Sequence, residues 1–169
     1  MTPELIIVPE FALGSSYREL SHVEGRDIYR WITLRAIRVP MRGLVTRDTS
    51  IVYRDAKGRE WMRMDKFGIL IARDYAWNGC SPKRWLPVLG WVGTPDLKCT
   101  LLASLVHDTL YQFHPTRHFP LDRAEADAVF REIIEESGNE GIASTYYHAV
   151  REFGSWSPGN EEGVRSEIL

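Results

Sequence analysis

Lys98 to His114 reads KCTLLASLVHDTLYQFH. Its residues follow a helical period: Leu101, Leu102, Leu105, Val106, Thr109 and Phe113 fall on one broad, largely apolar face. Opposite them, at about 100° per residue, stand Thr100, Ala103, Ser104, His107, Tyr111 and His114. Small residues on that face let a second helix or a ligand approach closely. His107 and Tyr111 are one turn apart and stack on it. Asp108 lies at its edge, rotated toward a neighbouring element. A helix that buries its back and presents His, Asp and Tyr in front is a chemical surface.

Upstream, Asp74 to Asp96 reads DYAWNGCSPKRWLPVLGWVGTPD, with three glycines, three prolines and three tryptophans. Pro82, Pro87 and Pro95 break any continuous helix or central strand, so a long packed loop is expected. Before it, residues 1–73 read mainly as β. Leu5 to Val8 is one short strand and Asp27 to Val39 a long half-buried one, ended by Pro40. Ser50 to Arg54 and Glu60 to Met64 flank Asp55-Ala56-Lys57-Gly58, a hairpin turn with glycine placed for a positive φ. Gly68 to Ala72 is a further short strand. The expectation is an antiparallel sheet of four or five strands.

Downstream, Asp122 with Glu125 forms the Asp variant of a capping box and opens a helix from Arg123 to about Ser137. Gly138 caps it. Ile142 to Phe153 carries a third helical period, and Ser155 to Leu169 reads as a loose polar tail. The chain is thus expected to be a single α+β domain over 1–154: mainly β at 1–73, loop at 74–96, three helices over 97–154. The tail, 155–169, follows it.

The composition sets outer bounds. A chain of 169 residues with 44% hydrophobic residues can bury its own core. A net charge of -2 gives no global attraction for nucleic acid, and none is predicted as a partner. The Leu5–Val8 run, flanked by Glu4 and Glu10, is too short for a signal peptide, and no segment has the length of a membrane span. Without an export signal, Cys80 and Cys99 are expected as thiols.

Asp127 falls between Ala124, Phe130 and Ile134, on or beside the buried stripe of the second helix. A lone carboxylate there is costly and needs a partner. The short Pro115–Leu121 connector makes the first two helices antiparallel neighbours, so His107 or Tyr111 is the natural partner. A His held by a buried Asp has a fixed tautomer and can act as a general base. Asp108 is then left to bind a hard cation with carbonyls of the 74–96 loop. His114 and His118 are further metal candidates, and a zinc or di-metal nuclease or peptidase is a third reading. His22 and His148 read as surface residues, Asp122 and Glu125 as capping, and Arg123 and Arg151 as charges that neutralise carboxylates.

WNGCSP, GTPD, ASLVHDTLYQ, DRAEAD and YYHAVREFG, in this order, resemble an uncharacterised phage and bacterial family, the domain of unknown function numbered thirteen-fifty-three. The likeness runs from Asp74 to Gly154. It implies a phage or prophage protein located in the host cytoplasm or the virion, with other phage proteins as partners, and brings no activity. His107-Asp108-x-x-Tyr111, followed on the next helix by Asp127, is also similar to the core of the phospholipase A2 family. That resemblance implies that His107 activates water, Tyr111 and Asp127 orient the imidazole, and Asp108 binds calcium. Carbonyls near Asn78, Gly79 and Cys80 would complete the shell. Ser104 stands where those phospholipases carry a cysteine, and Asn78 where they carry an acidic residue. The function expected is a metal-dependent ester hydrolase acting on lipid or another ester, with Trp85 and Trp91, beside Leu86 and Val88, as an apolar substrate rim. The alternative is a non-catalytic virion, tail or host-interaction protein in which the same residues form a structural polar network.

Overall fold

The computed structural model describes residues 16–20, 29–46, 48–80, 83–86, 90–93, 96–114, 116–153 and 163–169, with backbone alone at 83–86, 90–93 and 153. The strand expected at Leu5 to Val8 lies outside these residues. The architecture is α+β: antiparallel strands in the first half, then three helices.

The main sheet has five strands. β3 (Ile37–Val39), β4 (Ile51–Arg54), β5 (Glu60–Asp65), β6 (Gly68–Ile71) and β10 (Arg165–Ile168) are arranged in the order β10-β4-β5-β6-β3, all antiparallel. The expected turn joins β4 to β5, with Gly58 at φ 83° and Asp55 Oδ1 accepting the Lys57 and Arg59 N–H groups. A second sheet pairs β1 (Tyr17–Glu19) with β2 (Trp31–Thr33) and β2 with β7 (Ala76–Trp77). A separate hairpin joins β8 (Lys83–Leu86) to β9 (Gly90–Gly93).

Three expectations are corrected here. Asp27 to Val39 is not one strand over its described part: the chain turns a corner at Leu34–Ala36, so β2 and β3 serve different sheets. Thr33 is held on the β7 side, donating its N–H to Tyr75 O at 3.0 Å and accepting from Asp74 N at 2.9 Å. Leu34 N–H and the Arg35 guanidinium turn to Ser16 instead. The stretch Asp74 to Asp96 is not wholly loop, because β7, β8 and β9 lie within it. Nor is the end of the chain a loose tail: β10 pairs with β4 in register from Arg165↔Arg54 to Ile168↔Ile51, covering an edge of the sheet.

The helices are α1 (Lys98–Phe113), α2 (Arg123–Glu136) and α3 (Glu140–Phe153). Thr100 Oγ1 accepts Leu97 N–H at 3.1 Å at the start of α1, and the Asp122–Glu125 box closes reciprocally at 2.8 Å at the start of α2. Gly138, at φ 78°, ends α2. The core joins Ile51, Tyr53, Met62, Met64, Ile69 and Ile71 of the sheet to Leu105, Val106, Leu110 and Phe113 of α1. Tyr53 ties the layers, its ring 5.6 Å from Phe113. On its other side α1 buries Ala103, Ser104 and His107, so it is enclosed by the sheet behind and by α2 in front.

Gly68 has φ 115°, and a Cβ there would run into Val39 O and Met41 N. Gly68→Ala is expected to destabilise the domain by about 2–3 kcal/mol, read as a fall in thermal midpoint. A variant as stable as the parent would show that the β3–β6 contact relaxes freely.

Candidate functional site

Four side chains converge on one buried carboxylate. Asp127, fully buried on α2, accepts through Oδ1 from Tyr111 Oη at 2.5 Å and shares a hydrogen bond of 2.8 Å with His107 Nε2. Its Oδ2 accepts Arg151 Nη1 at 2.9 Å and lies 3.7 Å from Arg123 Nε. α1, α2 and α3 each supply part of this cluster. α2 runs back along α1: Tyr111 and His107 both reach Asp127, and His107 also meets Phe130, one turn further on, at 5.1 Å between rings. The spacing of the sequence dictates the arrangement. His107 and Tyr111 are four residues apart, and their rings stack at 4.1 Å with 36° between planes.

Electrostatics define the protonation pattern. Burial pushes the Asp127 carboxyl up, but hydrogen bonds from His107, Tyr111 and Arg151 outweigh it, and the group sits below its usual range. Burial first, and then the bond to Asp127, raises the Tyr111 hydroxyl, which stays protonated and donates. An ionised Asp127 only accepts, so the proton shared with His107 belongs on Nε2 and the lone pair on Nδ1. That tautomer follows from the partner. Among the described residues Nδ1 has no hydrogen-bond partner.

The residues expected to hold a metal are arranged differently. Asp108 Oδ2 accepts the backbone N–H of Asn78 at 3.4 Å, so α1 and the end of β7 do meet there. Gly79, at φ 79°, packs without a Cβ against the Asp96 carboxylate, and Cys80 N–H donates to Asp96 Oδ1 at 2.7 Å. Asp96 also accepts from Arg30 Nη1 at 2.8 Å, which ties the start of α1 to the second sheet. The Cys80 thiol is buried against Thr100 Oγ1 at 3.0 Å, and burial pushes it up to about 12. Cys80 and Cys99 are free thiols. Asn78 and Cys80 thus turn N–H groups toward carboxylates. Among the described residues no three His, Cys, Asp or Glu side chains form a metal-binding group. Trp85 and Trp91, expected as a substrate rim, are register partners across β8 and β9; Val88 lies outside the described residues. Ser104 accepts Trp77 Nε1 at 3.1 Å and donates to Leu101 O, which anchors α1 to β7.

Of the other histidines, His114 bonds Tyr111 O through Nδ1 at 2.8 Å, and His148 is exposed. A pocket of about 220 Å³, lined by Tyr29, Asp55, Trp61, Asp74, Tyr75 and Gln112 among others, was not anticipated from sequence. Its residues come from the segment before β2, the β4–β5 hairpin, the approach to β7 and α1, and no local motif links them.

Residues 86–150 match the family model described as Protein of unknown function (DUF1353), so the chain contains this domain of unknown function. The match spans α1, α2 and most of α3, including His107, Asp108, Tyr111, Arg123 and Asp127, and stops one residue before Arg151. No curated protein and no solved structure matches the chain.

Asp127→Ala strands His107, Tyr111 and Arg151 around an empty site and is expected to cost about 3–5 kcal/mol in chemical denaturation. Because the folded carboxyl sits below its usual value, its stabilisation is present above the unfolded value, about 3.9. It is lost as pH falls through the lower folded value. Asp127→Asn should flatten that acid limb of the stability curve. An unchanged limb would show that Asp127 is not ionised in the fold.

Proposed function

We propose that the chain is an ester hydrolase in which His107 is the general base that activates water. The observation that supports this reading is the Nε2 bond to a buried, ionised Asp127, with Nδ1 left without a partner among the described residues. A water at Nδ1 gives up its proton as its oxygen attacks the ester carbonyl. Asp127 stabilises the imidazolium that forms. As the tetrahedral intermediate collapses, the C–O bond breaks and Nδ1 returns the proton to the leaving alkoxide. Tyr111 keeps this geometry from rotating, through its hydroxyl on Asp127 and its ring on the imidazole.

On the phospholipase A2 resemblance, Asp108 would hold a calcium ion, whose charge would stabilise the oxyanion. The donors fit that ion in part: Asp108 brings one carboxylate, and Asn78 brings it an N–H, so a cation taking this oxygen displaces that contact. The substrate class we propose is lipid or another ester, with the Trp85–Trp91 hairpin as its apolar rim. The setting proposed is a phage or prophage protein, on the order of the motifs from WNGCSP to YYHAVREFG.

One observation favours a second reading. Arg151 and Arg123 complete the charge balance of Asp127, so the cluster also serves as a helix-locking network in a non-catalytic virion, tail or host-interaction protein.

Assays with dispersed phospholipid and a short-chain ester separate the two. His107→Ala is expected to lower hydrolysis at least about 100-fold while circular dichroism stays that of the parent. A parent without activity, combined with a variant that fails to fold, supports the network instead. In titration calorimetry, calcium is expected to bind in the micromolar to millimolar range, and Asp108→Asn to abolish it. Absence of binding at millimolar calcium removes the cation from the mechanism.

A further inference from the structure

We propose that Arg151, delivered by α3 and held in place by Arg123, is a positioning residue that sets the tautomer of His107. This rests on the reading of His107 as a general base, and it adds α3 to the machinery. Asp127 has two oxygens with separate duties. Oδ1 faces α1 and takes both His107 Nε2 and the Tyr111 hydroxyl. Oδ2 faces the guanidinium groups, with Arg151 Nη1 at 2.9 Å and Arg123 Nε at 3.7 Å.

The imidazole and the phenol supply hydrogen bonds, but a neutral imidazole and a phenol bring no net charge. A fully buried carboxylate is costly without a counter-charge. Among the described residues the arginines come from the Oδ2 side alone: Arg123 from its own helix and Arg151 from α3. With them in place Asp127 remains a carboxylate, the shared proton stays on Nε2, and the lone pair stays on Nδ1. Without Arg151, desolvation favours the protonated carboxyl. That carboxyl then donates to Nε2, the ring proton moves to Nδ1, and the base is lost at the position where water would bind. The atoms are conserved: one proton passes from Nε2 to Asp127 and one is taken up from solvent at Nδ1.

Arg123 serves as the clamp. Its Nη2 donates to Val150 O at 3.2 Å and to Arg151 O at 3.0 Å, carbonyls of the last turn of α3. It therefore fixes the backbone from which Arg151 projects. The two arginines lie in sequence 28 residues apart on different helices, yet they act on one oxygen.

The test uses the full chain labelled with ¹⁵N, with the His107 ring nitrogens observed by two-bond proton–nitrogen correlation at neutral pH. In the parent, Nε2 is expected to carry the proton and Nδ1 to show the shift of an unprotonated nitrogen. Arg151→Gln should move the ring to an Nδ1–H pattern, and Arg151→Lys should restore the parent pattern. Ester hydrolysis in Arg151→Gln should fall about tenfold or more, with recovery in Arg151→Lys. If Arg151→Gln does not fold, Arg123→Gln carries the measurement: without the clamp Arg151 leaves Oδ2, and the ring is expected to shift toward the Nδ1–H pattern. An unchanged ring pattern in a folded variant overturns the positioning role even when the parent is active. A shifted pattern in a protein that hydrolyses nothing upholds the role of Arg151 and overturns the hydrolase reading.

Discussion

A carboxylate with no exposure to water is the constraint on which the helical half of this molecule depends. Asp127 sits on the apolar stripe of α2, where an unpaired charge would cost several kcal/mol. The fold answers by bringing one helix to each of its oxygens: α1 to Oδ1, through His107 and Tyr111, and α3 to Oδ2, through Arg151. Helix order, helix register and side-chain rotamers at this point are mutually determined. A slip of α1 by one residue would rotate His107 away by about 100° and leave the charge with the arginines alone.

α1 can serve this role because it is enclosed on both sides. Its Leu105, Val106, Leu110 and Phe113 enter the core shared with the five-stranded sheet. Its Ala103, Ser104 and His107 are buried toward α2 and β7. The small residues do more than permit close approach: Ser104 receives the Trp77 indole and so locates β7, which in turn carries Asn78 to Asp108. A rigid helix thus holds the histidine, while a turn built on Gly79 and Asp96 settles what lies beside Asp108.

Much of this was legible in the sequence, for physical reasons that also mark where legibility ends. The 3.6-residue period put His107 and Tyr111 on one face. The connector before Asp122 made α2 an antiparallel neighbour, so His107 and Tyr111 were the natural partners of a buried Asp127. Arg123 and Arg151 were readable as neutralising charges, but not as sharing one oxygen, because that depends on how α3 folds back. The corner at Leu34–Ala36 left no mark, since alternation looks the same on either side of a change of sheet. The short strands β7 to β9 were hidden by the Gly and Pro content around them. β10 was hidden because a polar edge strand has little apolar signal of its own; the edge of β4 supplies the reason for it to pair.

We propose His107, although buried, as a base acting through an unprotonated Nδ1, and covalent labelling tests this without knowledge of the substrate. The full-length protein would be treated with a small haloacetamide at neutral pH, and the modified histidines mapped by peptide mass spectrometry. Alkylation of His107 at Nδ1 is expected ahead of the more exposed His148, with slower alkylation in Asp127→Asn. Labelling of the other histidines with His107 untouched would contradict it and leave the cluster around Asp127 as a support of the fold.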